Sequence, residues 1–180
     1  MTDPLAARRA FAPEGYATLA DIGLDLPLVS PYQRSCGNPR GPVLISYNFL
    51  DAPTARAHRA RLAQDGYLPE MLFNRVFDTA LAEAGLTRAD LYLTHAFHAL
   101  PPTRSHAVPQ RLVEDSFDAI TRHEIGDRPV IALGRAAAAC CRRFGIAHGE
   151  VPHPSARGLT ADTKARAIAG ALPHPTRAAA

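Results

Sequence analysis

The sequence predicts an α/β fold, a three-layer sandwich in which a parallel sheet is covered by helices on both faces. Three observations predict it. Short runs with β-branched residues alternate along the chain with longer stretches of helical spacing. The runs at 43–47 and 129–133 are predominantly apolar, as strands buried on both faces are. Glycine or proline breakers stand between most runs and the helices after them. Strands joined in this way are connected by right-handed crossovers. At 180 residues and 47% apolar, the chain suits one domain with a sizeable core.

Residues 1–40 are rich in Pro, Arg and Ala with weak periodicity. They read as an irregular N-terminal arm with a short helix near 18–24. Pro39-Arg40-Gly41-Pro42 ends the arm, residues 41–172 form the domain, and 173–180 form a flexible tail. The first strand is 43–47. Asp51-Ala52-Pro53 starts a helix, with Asp at the N-cap and Pro in the first turn. Its continuation to 64 is polar and Arg-rich, so it faces solvent or a polyanion. Pro69 opens a clearer helix. Leu72, Phe73, Val76, Phe77, Ala80, Leu81 and Ala84 recur at steps of three and four, and Gly85 closes it.

The second strand is 91–94, and Pro101-Pro102 ends it in a rigid loop. Helical spacing returns over 108–123 through Leu112, Val113, Phe117 and Ile120. The third strand, 129–133, runs into Gly134, which turns directly into an Ala-rich helix over 135–143 that Gly145 ends. The fourth strand is brief, at 150–151. Thr160 caps a last helix reaching about 171.

Composition excludes several classes. The net charge is +3, with nineteen Arg against the single Lys164. Arg forks suit phosphate recognition, and a GC-rich coding bias produces the same balance. Schiff-base chemistry has one candidate amine, late in the chain on a predicted surface helix. Three cysteines make neither a disulfide framework nor an iron–sulfur ligand set. No apolar run approaches the ~20 residues of a membrane span, and no apolar segment follows the N-terminal arginines. The expectation is a cytoplasmic monomer with no membrane contact, no metal and no cofactor. Neither a Gly-x-Ser-x-Gly elbow nor a Gly-rich phosphate loop with Lys is present.

Two segments stand out, about a hundred residues apart. Val43-Leu44-Ile45-Ser46-Tyr47-Asn48-Phe49 is an apolar run ending in an amide. Val151-Pro152-His153-Pro154-Ser155-Ala156-Arg157-Gly158 holds one histidine between two prolines, as a fixed hydrogen-bond donor requires. In an α/β fold both sit at the sheet edge where ligands bind. Together with Tyr92-Leu93-Thr94-His95-Ala96-Phe97-His98-Ala99-Leu100-Pro101-Pro102, they resemble the motif set of the uracil-DNA glycosylase superfamily, from about Gly41 to Gly170.

The resemblance implies a uracil-DNA glycosylase-like sandwich with a four-stranded sheet in the order 2-1-3-4. It implies a monofunctional DNA glycosylase, without a cofactor, acting on uracil or a modified pyrimidine flipped out of DNA. His153 would stabilise the departing base. Asn48 would hold the water, with Asp51, otherwise the helix N-cap, as its rival for that role and for general base. His95 falls where the family reads the base edge, and His98 where it often carries a basic residue. Phe73, Phe49 and Tyr47 would wall the base pocket. Ser155 would contact phosphate, and Arg157 would enter the gap in the DNA or contact phosphate. Amides near Gly134, with Arg56, Arg59, Arg61 and Arg104, would complete the DNA face. His95 and His98, three apart on a strand, would point to opposite faces. With so little Lys, no lyase step on the abasic site is expected.

The chain departs from the family pattern in having no Gly before the first motif, no Pro after Asn48, and His95 in place of an Asn. A non-catalytic nucleic-acid-binding module of the same fold therefore stands as one alternative. A hydrolase of free nucleosides or nucleotides stands as the other.

Overall fold

The strands expected from the apolar runs form in a computed structural model, which describes residues 2–173. β1 (Val43–Asn48), β2 (Tyr92–Phe97), β3 (Val130–Leu133) and β4 (Gly149–Val151) make one parallel sheet in the order β2-β1-β3-β4. Residues 174–180, nearly all of the expected tail, lie outside the described part of the chain.

The helices are α1 (Pro4–Ala10), α2 (Ala52–Ala57), α3 (Arg59–Asp65), α4 (Leu72–Ala84), α5 (Gln110–Ser116), α6 (Arg122–Ile125), α7 (Arg135–Arg143) and α8 (Ala161–Ala171). A wider π turn, Phe117–Thr121, joins α5 to α6. Local chemistry sets the main boundaries. Gly85, at φ 68, ends α4 in the left-handed conformation. The Thr160 hydroxyl accepts from the Thr163 amide and caps α8.

Side-chain alternation divides the core into two layers. Leu44, Leu93, Ile131 and Leu133 face α4 and α8, where Val76, Phe77, Ala80 and Ile168 meet them. Val43, Ile45, Val130 and Ala132 face the other way, onto Val113, Phe117, Ala137 and Cys141. Full burial of a side chain such as Phe77 contributes about 1.5–3 kcal/mol by transfer alone.

The chain departs from expectation at several elements. Residues 18–24 form no helix; turns closed by Gly23 N–H to Ala20 O and Leu24 N–H to Leu19 O occupy them. The N-terminal helix is α1 instead, where Asp3 caps and Pro4 supplies the first-turn residue. The expected helix after Asp51 divides at His58 into α2 and α3. β2 runs on to Phe97, and β4 begins at Gly149.

The first forty residues are irregular in backbone yet packed into the molecule. Leu19, Ile22 and Leu24 join Leu50, Ala55, Leu62 and Leu100 in a third apolar cluster. Arg8 is buried, paired with Asp25 at 2.6 Å and donating to the Leu26 and Leu28 carbonyls at 2.9 Å. Gly37 bridges Tyr92, and the Leu93 amide donates to Cys36 O at 2.9 Å, so this segment covers the outer edge of β2.

One buried carboxylate sits behind β2. Glu124 accepts from Thr94 Oγ1 at 2.5 Å, Tyr92 OH at 2.7 Å and Gln33 Nε2 at 2.9 Å. Burial pushes its pKa up from 4.5 to about 7, with those hydrogen bonds opposing the shift. A carboxyl raised in this way favours folding below its unfolded pKa and loses that contribution as pH rises through the folded value. The stability difference between the wild type and Glu124→Gln should therefore turn against the wild type between pH 4.5 and about 7. Urea denaturation across that window measures it; a difference independent of pH would show that Glu124 titrates normally.

Candidate functional site

The inner face of the sheet toward α4 and α8 changes character along its strands. It is apolar at Leu44 and Leu93 and turns polar at Ser46, Asn48 and His95, at the carboxyl ends of β1 and β2. A cavity of about 220 Å³ opens there. Parallel sheets bind ligands at this edge, because the loops that leave it diverge.

Three distant segments line the cavity. The end of β1 and the turn after it supply Ser46, Tyr47, Asn48, Phe49 and Asp51; α4 supplies Phe73; the loop after β4 supplies His153 and Ser155. Tyr32 and the exposed Arg104 complete the wall. Tyr47, Asn48, Phe49, Asp51, Phe73, His153 and Ser155 are thus brought together as expected from the motifs.

His153 is the most constrained of them. The Ser155 amide donates to its Nδ1 at 3.1 Å, and the Ala156 amide closes the turn on His153 O at 2.8 Å. Because Nδ1 accepts, the neutral ring carries its proton on Nε2. Burial, aided by the nearby Lys164 charge, lowers its pKa from 6.5 to about 4. The ring is therefore uncharged at neutral pH. Nε2–H has no protein acceptor among the described residues.

Phe73 holds the ring from one side, with centroids 5.4 Å apart. Gly134 lies against the Cβ and backbone of His153: a Cβ at 134 would come within 2.9 Å of His153 Cβ, and φ is +94. Lys164 is buried rather than on the surface, and its Nζ donates to Ala156 O at 3.2 Å, tying the loop down from behind.

Asn48, in the lining, donates from Nδ2 to Leu50 O at 3.4 Å, a long bond, and its Oδ1 has no hydrogen-bond partner among the described residues. Asp51 occupies the N-cap position of α2 but makes no side-chain cap bond. It is the one carboxylate in the lining. Tyr47 OH accepts from the Val108 amide at 3.3 Å, and burial raises its pKa. Phe49 packs edge-on to Tyr32, with centroids 5.3 Å apart.

Other expected site residues lie elsewhere. His95 does not line the cavity. It is buried behind the wall, with Nδ1 2.7 Å from Ser46 Oγ and Nε2 2.8 Å from Ser30 Oγ, so neither ring nitrogen is left for a base. His98 is buried, and its ring is not on the far face from His95. It lies just past the end of β2, where the chain leaves strand geometry, with ring centroids 5.9 Å apart. Its Nε2 is 3.1 Å from Thr121 Oγ1, and burial lowers its pKa to about 3. Arg157 is exposed outside the cavity. Arg61 is paired with Glu70 at 2.9 Å, which leaves Arg104 as the one of the four expected arginines in the lining.

Sequence reasoning missed Tyr32, Ser46 and Leu159. Leu159 is the one large hydrophobic side chain standing exposed among the described residues, at 44%, two positions after Arg157. A wider concavity of about 480 Å³ lies at the amino ends of β3 and β4. Its Arg128 is spent on the Ile125, Asn38 and Glu124 carbonyls, and it gathers none of the polar groups of the smaller cavity.

Among the described residues, no group of three or more His, Cys, Asp or Glu side chains is placed to hold a metal ion. No helix among them is long and apolar enough to cross a membrane. No family model and no curated protein matches the chain.

In an NMR titration, His153 should protonate near pH 4 rather than 6.5, and Lys164→Met should raise that value by removing a positive charge. Titration at 6.5 in the wild type would contradict the burial of the ring. Gly134→Ala should cost roughly 1 kcal/mol or more, because a positive φ disfavours any Cβ, and should shift the His153 ring resonances. Unchanged His153 resonances would refute the close approach.

Proposed function

We propose that the protein is a monofunctional DNA glycosylase that hydrolyses the N-glycosidic bond of uracil or a modified pyrimidine rotated out of the helix. One observation carries this reading: an uncharged His153 donor, an unpaired amide oxygen, a lone carboxylate and aromatic walls converge on one small cavity at the ligand edge of a parallel sheet. At about 220 Å³ the cavity is below the roughly 300–1,000 Å³ of drug-sized sites, which favours a single ring over a larger ligand.

The chemistry is set by the placement of these groups. As the bond between the base nitrogen and the sugar carbon breaks, the electron pair goes to the base and spreads onto its carbonyl oxygen. His153 Nε2–H faces that developing charge. A neutral donor suits the task, since it arrives without the desolvation cost of a buried cation. Water adds to the sugar carbon on the opposite side, oriented by Asn48 Oδ1. Asp51 takes its proton and returns it to solvent or to the departed base. Phe73 and Phe49 flank the ring. Lys164, the one amine side chain, is bound to Ala156 O, which argues against a Schiff base with the sugar.

Arg104, in the cavity wall, and Arg157, outside it, are both exposed and suit backbone phosphates. Leu159, apolar and exposed two positions after Arg157, suits the space vacated by the rotated nucleotide.

The test is base release from oligonucleotides containing uracil or a modified pyrimidine, read as cleavable abasic sites. His153→Ala should lower the rate by about 10²–10³-fold. Leu159→Ala should slow release from duplex more than from single strands. Tight binding without release would favour the non-catalytic module, and release from nucleosides alone would favour a nucleoside hydrolase.

A further inference from the structure

We infer that Ser46, rather than His95, is the side chain that reads the ligand in this cavity, and that it acts as a hydrogen-bond donor whose direction is set by a buried Ser30–His95 pair. The inference rests on the glycosylase reading of the cavity and adds the group that discriminates among bases.

The β1–β2 register places Ser46 directly beside His95. Ser46 Oγ is 2.7 Å from His95 Nδ1, and His95 Nε2 is 2.8 Å from Ser30 Oγ. The Tyr32 amide donates to Ser30 Oγ at 3.3 Å, so that oxygen is already an acceptor. Ser30 is 1% exposed, and among the described residues its hydroxyl proton has no acceptor but His95 Nε2. A buried hydroxyl proton left unpaired is costly; Ser46 is equally buried, at 1%, but lines the cavity, where a ligand can take its proton, whereas Ser30 does not, so the Ser30 proton goes to His95 Nε2.

Proton counting fixes the remaining polarity. Nε2 accepts, so the neutral ring carries its proton on Nδ1 and donates it to Ser46 Oγ. Complete burial keeps the ring neutral. Ser46 has then accepted from within the protein, and its own proton is free. Ser46 has no other protein partner among the described residues, and it lines the cavity. The polarity also separates this array from a nucleophilic serine. There the imidazole accepts the serine proton; here it donates to the serine oxygen.

A base with a carbonyl facing Ser46 receives that proton. A base with an amino group there leaves a buried hydroxyl proton without an acceptor, on Ser46 itself or, if the array reverses, on Ser30. Such an unpaired group corresponds to about 10- to 100-fold in affinity. His95 and Ser30 are positioning residues in this scheme, and Ser46 is the one that touches the ligand.

Two measurements on the full chain test it. Long-range proton–nitrogen NMR of the 15N-histidine-labelled protein should find His95 protonated at Nδ1; a proton on Nε2 overturns the inference. Binding is then compared for oligonucleotides carrying 2′-fluoro-2′-deoxyuridine or 2′-fluoro-2′-deoxycytidine, in which fluorine slows bond cleavage. The wild type should prefer the uridine probe by about 10- to 100-fold, and Ser46→Ala should bring the two to within about threefold. If Ser46→Ala does not fold, Ser30→Ala takes its place; it keeps Ser46 but frees the array to reverse, and should lose the preference too. A preference unmoved by these substitutions, in a protein that releases base, overturns the reader alone. Binding of neither probe, with no release of base, overturns the functional reading and the reader with it.

Discussion

The hydrogen bond from the Ser155 amide to His153 Nδ1, at 3.1 Å, is the constraint on which the proposed chemistry depends. It makes one ring nitrogen an acceptor and so places the proton of the neutral imidazole on the other. Every support around it acts to keep that arrangement. Gly134 leaves room for the His153 Cβ and backbone, Phe73 packs against the ring, and Lys164 both anchors the loop and disfavours a second positive charge. Without the Ser155 amide, Nδ1 and Nε2 would be equivalent protonation sites and the donor would have no fixed direction.

The same economy of charge runs through the interior. His95, His98 and His153 are all held below the ordinary imidazole pKa by burial, and Glu124 is held above the carboxylate range by the same cause. Around the cavity the buried Ser30, Ser46 and His95 are therefore neutral groups linked by directional hydrogen bonds, while buried charges such as Arg8, paired with Asp25, and Lys164, bound to Ala156 O, are held elsewhere. Exposed charge lies on arginines such as Arg104, in the cavity wall, and Arg157, outside it. A polyanion held at the rim and a neutral base held within are the two demands the proposed function makes of these groups.

Much of the fold was legible in the sequence. The apolar runs at 43–47 and 129–133 are buried strands, and the stripe from Leu72 to Ala84 with its closing glycine is α4. The convergence of the first and last motifs was legible as well, because both directly follow strands of a parallel sheet. What was not legible depends on tertiary direction. The sequence locates His95 at the ligand edge but cannot show that its ring turns inward onto two serines. Ser46 reads as filler in an apolar run; its signal is its place opposite His95 in register, at the carboxyl end of a buried strand. Residues 1–40 lack periodicity because they pack by irregular turns, so Ser30, Tyr32 and Gln33 gave no sign of reaching the centre. Lys164 had a signal that went unread: four residues before Ile168, it shares the apolar stripe of α8.

A structure of the protein with an oligonucleotide carrying a non-hydrolysable pyrimidine nucleotide tests the central claim most directly. The base should lie inside the cavity between Phe73 and Phe49, with a carbonyl oxygen about 2.7–3.2 Å from His153 Nε2. A base that stays stacked in the DNA, or a His153 ring rotated out of the cavity in the complex, would contradict it.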